Sequence, residues 1–286
     1  MVSHIEPLAE KNRNSAAYVT QEQVREHYLI EKELANRLRR ATKDERRRLY
    51  HVVYDERSQC IPQHPLVMRA ADPAAQARAV QPQARVLRHF ANRHTVFLEI
   101  GAGDGALALE MSKWVKQVFA IDVSGELVKN IVSPPNFEFR LFDGFELPLA
   151  LNSIDLAYSN DVLEHLHPED AQDQLHSLLH VLRADGKYIC VTPNRLSGPH
   201  DVSRNFDTVA TGFHLKEYTI GELAALFQQV GFRRVNAFVS MRGQMLLPPL
   251  SIVPFIKIEN LIARVSSPYQ RKIASLLAAV KVIAIK

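Results

Sequence analysis

Cysteine is scarce in this sequence, and long apolar runs are missing. Only Cys60 and Cys190 occur among the 286 residues, too few for a disulfide scaffold or a cysteine-built metal cluster. The most apolar stretches, 245–256 and 273–285, are interrupted by prolines or a lysine and fall short of the roughly 20 residues that span a bilayer. Charged residues interrupt the first thirty positions, so no secretory signal is expected. These absences predict a cytoplasmic protein without a transmembrane segment.

A strong excess of one charge is missing too. The formal net charge is +4, from 35 Lys and Arg against 31 Asp and Glu, which argues against a nucleic-acid partner, since that needs clustered positive charge. Basic residues outnumber acidic ones by 16 to 11 in 1–90 and by 7 to 1 in 241–286, but 91–240 has 12 against 19. The basic ends are either solvated helix faces, as expected for Arg46–Arg48, or surfaces for something anionic; weak membrane-surface contact stays open.

Three regions differ in their hydrophobic pattern. Residues 1–92 have leucines at helical spacing and predict a helical N-terminal cap. Residues 93–240, continued by 280–286, alternate short apolar runs with helical segments such as Gly125–Ile131, which predicts a parallel sheet covered by helices on both faces. Residues 241–279 predict an insertion, or lid, that starts at the carboxyl edge of the sheet, where open α/β sheets bind ligands.

A glycine turn follows the first predicted strand. Val96–Ile100 runs into Gly101–Gly105 and then into a helical segment, and glycine lets a backbone approach a ligand closely. The second strand ends in Asp122, a carboxylate that can accept hydrogen bonds from ribose hydroxyls. Glu99 and Asp104 would repel a pyrophosphate, whereas Glu99 can meet an amino group. The residues favour a ligand with an ammonium and a sulfonium over a dinucleotide.

Five motifs in order resemble those of class I S-adenosylmethionine-dependent methyltransferases, over about Arg85–Ser240. They are Leu98–Gly105, Ala120–Val123, Arg140–Gly144, Ile154–His165 and Leu182–Val191. The resemblance implies an α/β, Rossmann-like, seven-stranded sheet in the order 3-2-1-4-5-7-6, with the last strand antiparallel and a helical insertion before it. It also implies S-adenosylmethionine as cofactor and S-adenosylhomocysteine as product.

The same resemblance implies the residues that bind this cofactor. Asp122 would hold the ribose, Asp143 would accept from the adenine amino group, and the fourth motif would support the methionyl part. The full set is Glu99, Gly101, Ala102, Gly103, Asp122, Val123, Phe142, Asp143, Gly144 and Asn160. No metal ligands are expected.

Histidine is the first choice for a base that removes a proton from the methyl acceptor, because its pKa is near neutrality. His165 follows the fourth strand, and His214 and His200 lie in the long connection after the fifth strand. His214 or His165 is the expected catalytic residue, with His200 behind them. A helix-start hydrogen bond for His165 and a packing contact for His214 remain the structural alternatives.

The caps on either side of the sheet are expected to select the acceptor. Tyr50, Tyr54 and Arg57 have helical spacing and either face the pocket or, for the tyrosines, pack in the core. The apolar residues of 241–279 suit a lid over a hydrophobic acceptor, a dimer contact or a membrane-touching flap. We expect methylation of an oxygen or nitrogen of a hydrophobic small molecule by a monomer or homodimer. An RNA or protein methyltransferase, a non-catalytic cofactor-binding subunit and a nicotinamide-dependent oxidoreductase are the alternatives.

Overall fold

The computed structural model describes residues 20–129, 131–265, 267–275 and 279–286. Predictions for residues 1–19 of the N-terminal cap lie outside the described part. Four helices precede the first strand: α1 Gln21–Arg40, α2 Lys43–Cys60, α3 Pro65–Ala70 and α4 Pro73–Leu87. The sheet and its remaining helices follow as β1 Val96–Ile100, α5 Ala106–Ser112, β2 Gln117–Asp122, β3 Phe137–Leu141, β4 Ile154–Asn160, α6 Pro168–Val181, β5 Leu182–Pro193, α7 Ile220–Val230, β6 Arg234–Met241, β7 Gln244–Ser251, α8 Val253–Ile262, α9 Ser267–Ala274 and β8 Ala279–Ile285.

Threonine begins three of the long helices. Thr20, Thr42 and Thr219 each accept a hydrogen bond from the backbone of the third helical residue, whose Glu or Gln side chain returns a bond to the threonine backbone. This reciprocal capping satisfies two amides that would otherwise lack partners at the first turn. The ends of α1, α2 and α7 are therefore set by local sequence.

The sheet has the order β3-β2-β1-β4-β5-β8-β6-β7. β1 to β5 pair in parallel, and β8 lies antiparallel between β5 and β6. The predicted order 3-2-1-4-5-7-6 with an antiparallel last strand is confirmed, β8 being that last strand. The parallel strands place their carboxyl ends at one edge, where the glycine turn, Asp122 and Asn160 all lie.

An eighth strand is the main difference from the sequence prediction. Residues 244–251 were expected in a helical insertion, but β7 pairs antiparallel with β6 and forms the edge of the sheet. Pro248 and Pro249 suggest an interrupted segment, yet an edge strand tolerates proline because part of its backbone makes no ladder hydrogen bonds. Helices α8 and α9 supply the helical remainder of the insertion.

Two hydrophobic clusters cover the two faces of the sheet. On one face, α4 and α5 bury residues such as Leu87 and Met111. On the other, α6 and α7 bury residues such as Leu175 and Phe227, and α1 and α2 join the same cluster through residues such as Leu34. All five residues of β1 are buried, as expected for a strand covered on both sides.

Helix α2 is fixed to α6 by a buried ion pair. The Arg46 guanidinium donates from Nε and Nη2 to the two carboxylate oxygens of Asp170, at 2.5 and 2.8 Å. The Tyr50 hydroxyl donates to the same carboxylate at 2.8 Å. Arg46 is only 2% exposed, so its predicted place on a solvated face is wrong. Tyr50 packs in the core, which settles the alternatives stated for it.

Two further points concern helices. The helix predicted at Gly125–Ile131 is represented by a single 3-10 turn at Glu126–Val128, with residue 130 outside the described part. Among the described residues, none of the helices combines the length and the apolar character needed to cross a membrane.

Candidate active site

The glycine turn lies between β1 and α5. Gly101 and Gly103 have φ angles of 71° and 56°, a left-handed conformation that side chains other than glycine rarely adopt. A Cβ on Gly101 would also overlap a methyl group of Val162. Ala102 between them is buried, and its amide donates to the Ile121 carbonyl at 3.1 Å. The turn therefore keeps its backbone close to the β4 edge, as a ligand-binding turn requires.

Glu99 lies just before this turn with an unsatisfied oxygen. It is 7% exposed, and its Oε2 has no hydrogen-bond partner among the described residues. Burial, together with the nearby Asp104 carboxylate, raises the pKa of Glu99 well above its usual range. A buried carboxyl oxygen of this kind is stabilised by a cationic donor. The ammonium of S-adenosylmethionine fits this requirement.

Asp122 joins the end of β2 to the glycine turn. Its Oδ2 accepts from the Gly103 amide at 2.7 Å, and its Oδ1 accepts from the Ser124 amide at 3.1 Å. Burial raises the pKa of Asp122, although these backbone hydrogen bonds oppose the shift. Each oxygen retains a lone pair that can accept from a hydroxyl. Asp122 and the turn thus form one unit suited to a ribose.

Helix α2 crosses the carboxyl ends of β2 and β3. His51 Nδ1 donates to the Val123 carbonyl at 2.8 Å, and the Ser124 hydroxyl donates to Asp55 at 2.6 Å. One turn earlier on the same helix face, Arg47 donates to the Asp143 carboxylate at 2.5 Å. The N-terminal cap therefore covers the part of the edge assigned to ribose and adenine.

The third-strand residues make close contacts within the protein. Asp143 Oδ1 accepts from the amides of Phe145 and Glu146, at 2.8 and 2.9 Å. Gly144 has a φ of 89° and packs against the Tyr50 ring, and Phe142 is half-buried against the core. These contacts order the loop after β3, while the assignment of Asp143 to the adenine amino group, and of Phe142 and Gly144 to the cofactor, stays a prediction.

Asn160 ends β4 beside a small cavity. Its side-chain amide donates to Asp161 at 2.7 Å, and it lines a cavity of about 160 Å³ on the α4 face together with Tyr158, Ser240 and Lys281. Lys281 donates to the Ser240 carbonyl at 2.6 Å, and burial lowers its pKa. Asn160 therefore lies at the predicted edge but opens toward the face opposite the histidines.

The two predicted catalytic histidines lie against each other. The rings of His165 and His214 have centroids 4.9 Å apart and cross at 75°. His165 Nδ1 contacts the Phe213 carbonyl at 3.0 Å, and His214 Nδ1 contacts the Glu217 carboxylate at 2.8 Å. Because those oxygens only accept, both rings donate from Nδ1, and a neutral ring keeps its lone pair on Nε2.

Charge separates the roles of the two rings. Burial and the nearby charge on His214 lower the pKa of His165 well below its usual range, so His165 is neutral at pH 7. Burial alone would lower the pKa of His214, but the Glu217 hydrogen bond and the Glu164 and Asp201 carboxylates raise it to about 9. The neutral His165 beside a cationic His214 is the candidate base of the pair.

Glu164 is a third member of this cluster. It is fully buried, its Oε2 accepts from the Thr192 hydroxyl at 2.9 Å, and its Oε1 has no partner among the described residues. Burial and the charge of Asp161 raise the pKa of Glu164 to about 8. A buried ionisable group with an open oxygen is common at functional sites.

His200 lies in the connection after β5 that also carries His214. Its backbone amide donates to Glu217 at 2.7 Å, and its Nε2 lies 3.1 Å from the Asn194 carbonyl. It therefore orders the loop that carries His214.

Residues of the N-terminal cap pack against this histidine cluster. Tyr54 stacks edge-on to Phe213 at 5.0 Å, and the Arg57 guanidinium lies over both rings at 4.9 and 4.7 Å. Arg39 donates to the carbonyl of His214 at 2.9 Å. Tyr54 packs against the same hydrophobic cluster as Tyr50, and the pocket role expected for Arg57 stays a prediction.

Three cap residues near this cluster were not singled out from the sequence. His27 and Glu31 are buried and lie 3.0 Å apart on α1, and the Nε2 of His64 lies 3.8 Å from Glu31. Burial alone would raise the pKa of Glu31, but His27 and the charges of Arg57 and His214 hold it below its usual range. A His and a Glu four residues apart on an otherwise amphipathic helix were the available signal.

Comparisons with known proteins agree with this geometry. Residues 98–190 match the family model described as a methyltransferase domain. An uncharacterized methyltransferase of Staphylococcus carnosus (strain TM300) is 29% identical over 92 residues, which are 32% of this chain and 44% of that protein. The match thus spans less than half of that relative's length.

Two solved structures have the same fold. A chain from the Haloferax volcanii complex of the Trm112 methyltransferase activator with a methyltransferase gives a TM-score of 0.52 at 14% identity, covering 77% of this chain and 96% of that one. Phosphoethanolamine N-methyltransferase 2 of Haemonchus contortus, in complex with S-adenosylmethionine, gives 0.50 at 17% identity, covering 72% and 52%. Residues 98–190 therefore resemble a methyltransferase domain in sequence, and the chain shares the fold of these two solved structures.

Proposed function

We propose that the chain transfers the methyl group of S-adenosylmethionine to an oxygen or nitrogen of a hydrophobic small molecule. The observation that carries the proposal is the contact between the buried rings of His165 and His214, just after the β4 end where Val162 lies against the glycine turn. A class I domain without such a cluster would bind the cofactor but would have no group placed to assist proton loss from an acceptor.

The cofactor half of the site is assigned to two short segments. Glu99 would meet the ammonium through its unpartnered oxygen, and Asp122 would accept from the ribose hydroxyls. Gly101, Ala102 and Gly103 would let the backbone approach the cofactor closely. The bound cofactor supplies the electrophilic methyl group, and the protein must hold the acceptor in line with it and exclude water.

The acceptor half would form where the cap packs against the histidine cluster. His165 Nε2 is assigned to accept the acceptor's proton, with the Phe213 carbonyl holding its Nδ1–H. The contacting rings of Tyr54 and Phe213 would provide an apolar surface for a hydrophobic, ring-bearing molecule. The cap over 1–92 and the insertion over 241–279 remain our proposed selectors of the acceptor.

Turnover with a panel of acceptors tests this proposal. Formation of S-adenosylhomocysteine would be followed with hydrophobic phenols, quinols and amines. His165→Gln should lower kcat by about 10²- to 10⁴-fold, as expected for loss of a general base, and leave S-adenosylhomocysteine affinity within about twofold. His94→Gln, an exposed histidine before β1 at the opposite edge, is the matched control. Full activity of His165→Gln would refute the assigned base.

A further inference from the structure

We infer that Glu164, His165 and His214 form a binding site for one divalent transition-metal ion, which rests on the proposed function and concerns how the acceptor is activated. One ligand atom from each residue lies within 4.8 Å of the other two. Neighbouring ligands around such an ion are about 3–3.5 Å apart at metal–ligand distances of about 2.1 Å. Small side-chain rotations would therefore close the set.

The orientation of both imidazoles fits metal binding. A metal-bound histidine almost always donates its other ring N–H to a carboxylate or carbonyl, which fixes the ring. Here Glu217 accepts from His214 Nδ1 at 2.8 Å, and the Phe213 carbonyl accepts from His165 Nδ1 at 3.0 Å. His214, which is cationic without the ion, would release one proton on binding it, and both rings would then direct an Nε2 lone pair to the ion.

Glu164 supplies the third ligand and an independent observation. Its Oε1 is fully buried without a partner among the described residues, whereas its other oxygen accepts from Thr192. An ion bound there would replace the carboxyl proton of Glu164 and would satisfy the oxygen that lacks a partner. Two imidazoles and one carboxylate suit a first-row divalent ion, and they leave coordination positions open for a substrate.

A second histidine cluster is a less suitable ligand set. His27, Glu31 and His64 are also close enough together to hold an ion. However, His64 Nδ1 accepts a hydrogen bond from the Leu66 amide at 3.2 Å, so a neutral His64 has its proton on Nε2, the atom that faces Glu31. That atom then has no lone pair to offer a metal. His27 is consequently a matched control for the proposed site.

The ion would act as a Lewis acid on a hydroxyl acceptor. A hydroxyl oxygen bound to it would lose its proton to water more readily. The oxygen–methyl bond would then form as the sulfur–methyl bond breaks, with the bonding electron pair staying on sulfur. In the ion-bound protein His165 is a ligand, and in the ion-free protein it keeps the role of base.

Cobalt(II) titration tests the site through a readout other than activity. We expect the wild-type protein to bind one equivalent of Co²⁺ with visible d–d absorption bands. His214→Gln and Glu164→Gln should each weaken this binding at least about 100-fold. Glu217→Gln, which alters the carboxylate shared by His214 Nδ1 and the His200 amide but removes no ligand, should weaken it about 10- to 100-fold. His27→Gln should bind Co²⁺ within about twofold of the wild type.

Titration of the same proteins with S-adenosylhomocysteine separates the two proposals. If the wild type binds S-adenosylhomocysteine but takes up no stoichiometric Co²⁺, the metal site is refuted and the proposed function stands. The metal site is also refuted if His27→Gln abolishes Co²⁺ binding while His214→Gln and Glu164→Gln retain it. A wild type that binds Co²⁺ but not S-adenosylhomocysteine would overturn the proposed function instead.

Discussion

The proposed cofactor half and the proposed acceptor half of the site are built in different ways. The cofactor half comes from two short stretches, 99–105 and 122–124, each at the end of one strand. The acceptor half combines side chains from α1 and α2, from 164–165 and from 201–217, which meet only because the cap docks on the sheet. This difference indicates that the proposed cofactor contacts depend on local turns, whereas the proposed acceptor contacts depend on long-range packing.

The largest test breaks the docking of the cap. Asp170→Ala would leave the buried Arg46 guanidinium without its bidentate partner, and loss of one member of a buried pair costs about 3–5 kcal/mol. The free energy of unfolding in urea measures this. Asp173→Ala on the same helix removes a half-exposed pair with Lys43 and should cost less than about 1 kcal/mol. Equal losses in the two variants would show that the acceptor half does not depend on this contact.

The next test addresses the cofactor half. Asp122→Ala removes the carboxylate that receives the Gly103 amide and, in our assignment, the ribose hydroxyls. Two hydrogen bonds to a charged group at about 1.5 kcal/mol each predict an affinity for S-adenosylhomocysteine at least about 100-fold lower by isothermal titration. Asp155→Ala, which loses a carboxylate bound to the Val96 amide at the opposite edge of the sheet, should bind within about twofold of the wild type. Unchanged affinity in Asp122→Ala would remove the ribose assignment.

The pH dependence of stability sharpens the contrast from the acceptor side. The pKa of His214 is raised to about 9 and that of Glu164 to about 8, so the folded protein holds protons that the unfolded chain releases. The stabilisation that these two groups contribute is complete below the ordinary pKa values of Glu and His. It is lost as pH rises to about 9.

Urea unfolding at pH 6.5 and pH 9 measures this loss. Since one pKa unit corresponds to about 1.4 kcal/mol and the neighbouring acids share the proton, we expect a fall of roughly 1–2 kcal/mol from these groups. His214→Gln should show a smaller fall than the wild type over the same interval. A parallel fall in both proteins would contradict the raised pKa.

The smallest test asks to which half Asp143 belongs. Arg47→Ala frees one oxygen of Asp143 from a half-exposed ion pair, so stability should change by less than about 1 kcal/mol. If Asp143 meets the adenine amino group, S-adenosylhomocysteine should bind as well or slightly better, by at most about fivefold. Arg48→Ala, at an exposed neighbouring position, is the control. If Arg47→Ala weakens binding and Arg48→Ala does not, Asp143 serves the contact with the cap and not the adenine.

Local patterns explain which parts were predictable. The glycine turn, Asp122 and the order of the seven predicted strands follow from spacing along the chain and from the resemblance, and the structure shows the same order with β7 added at the edge. His165 and His214 were predicted as alternatives, although they are neighbours 4.9 Å apart. Sequence spacing could not show this, because 48 residues separate His165 from the Phe213 carbonyl that orients it.

Long-range partners explain the rest. Arg46 looks solvent-facing within its arginine run, and only Asp170, 124 residues away, makes its burial favourable. β7 was missed because its prolines predict a break, whereas its position at the sheet edge permits them. Glu217 and Glu31 have meaning only once the cap and the 201–217 loop come together.

A crystal structure with bound S-adenosylhomocysteine would show directly whether the acceptor site lies at the histidine cluster. We expect the ribose to bind Asp122 and the sulfur to face the cluster of His165, His214 and Tyr54. A sulfur that instead points to the cavity of Asn160, Ser240 and Lys281 on the α4 face would contradict the assignment of the acceptor site to the histidine cluster.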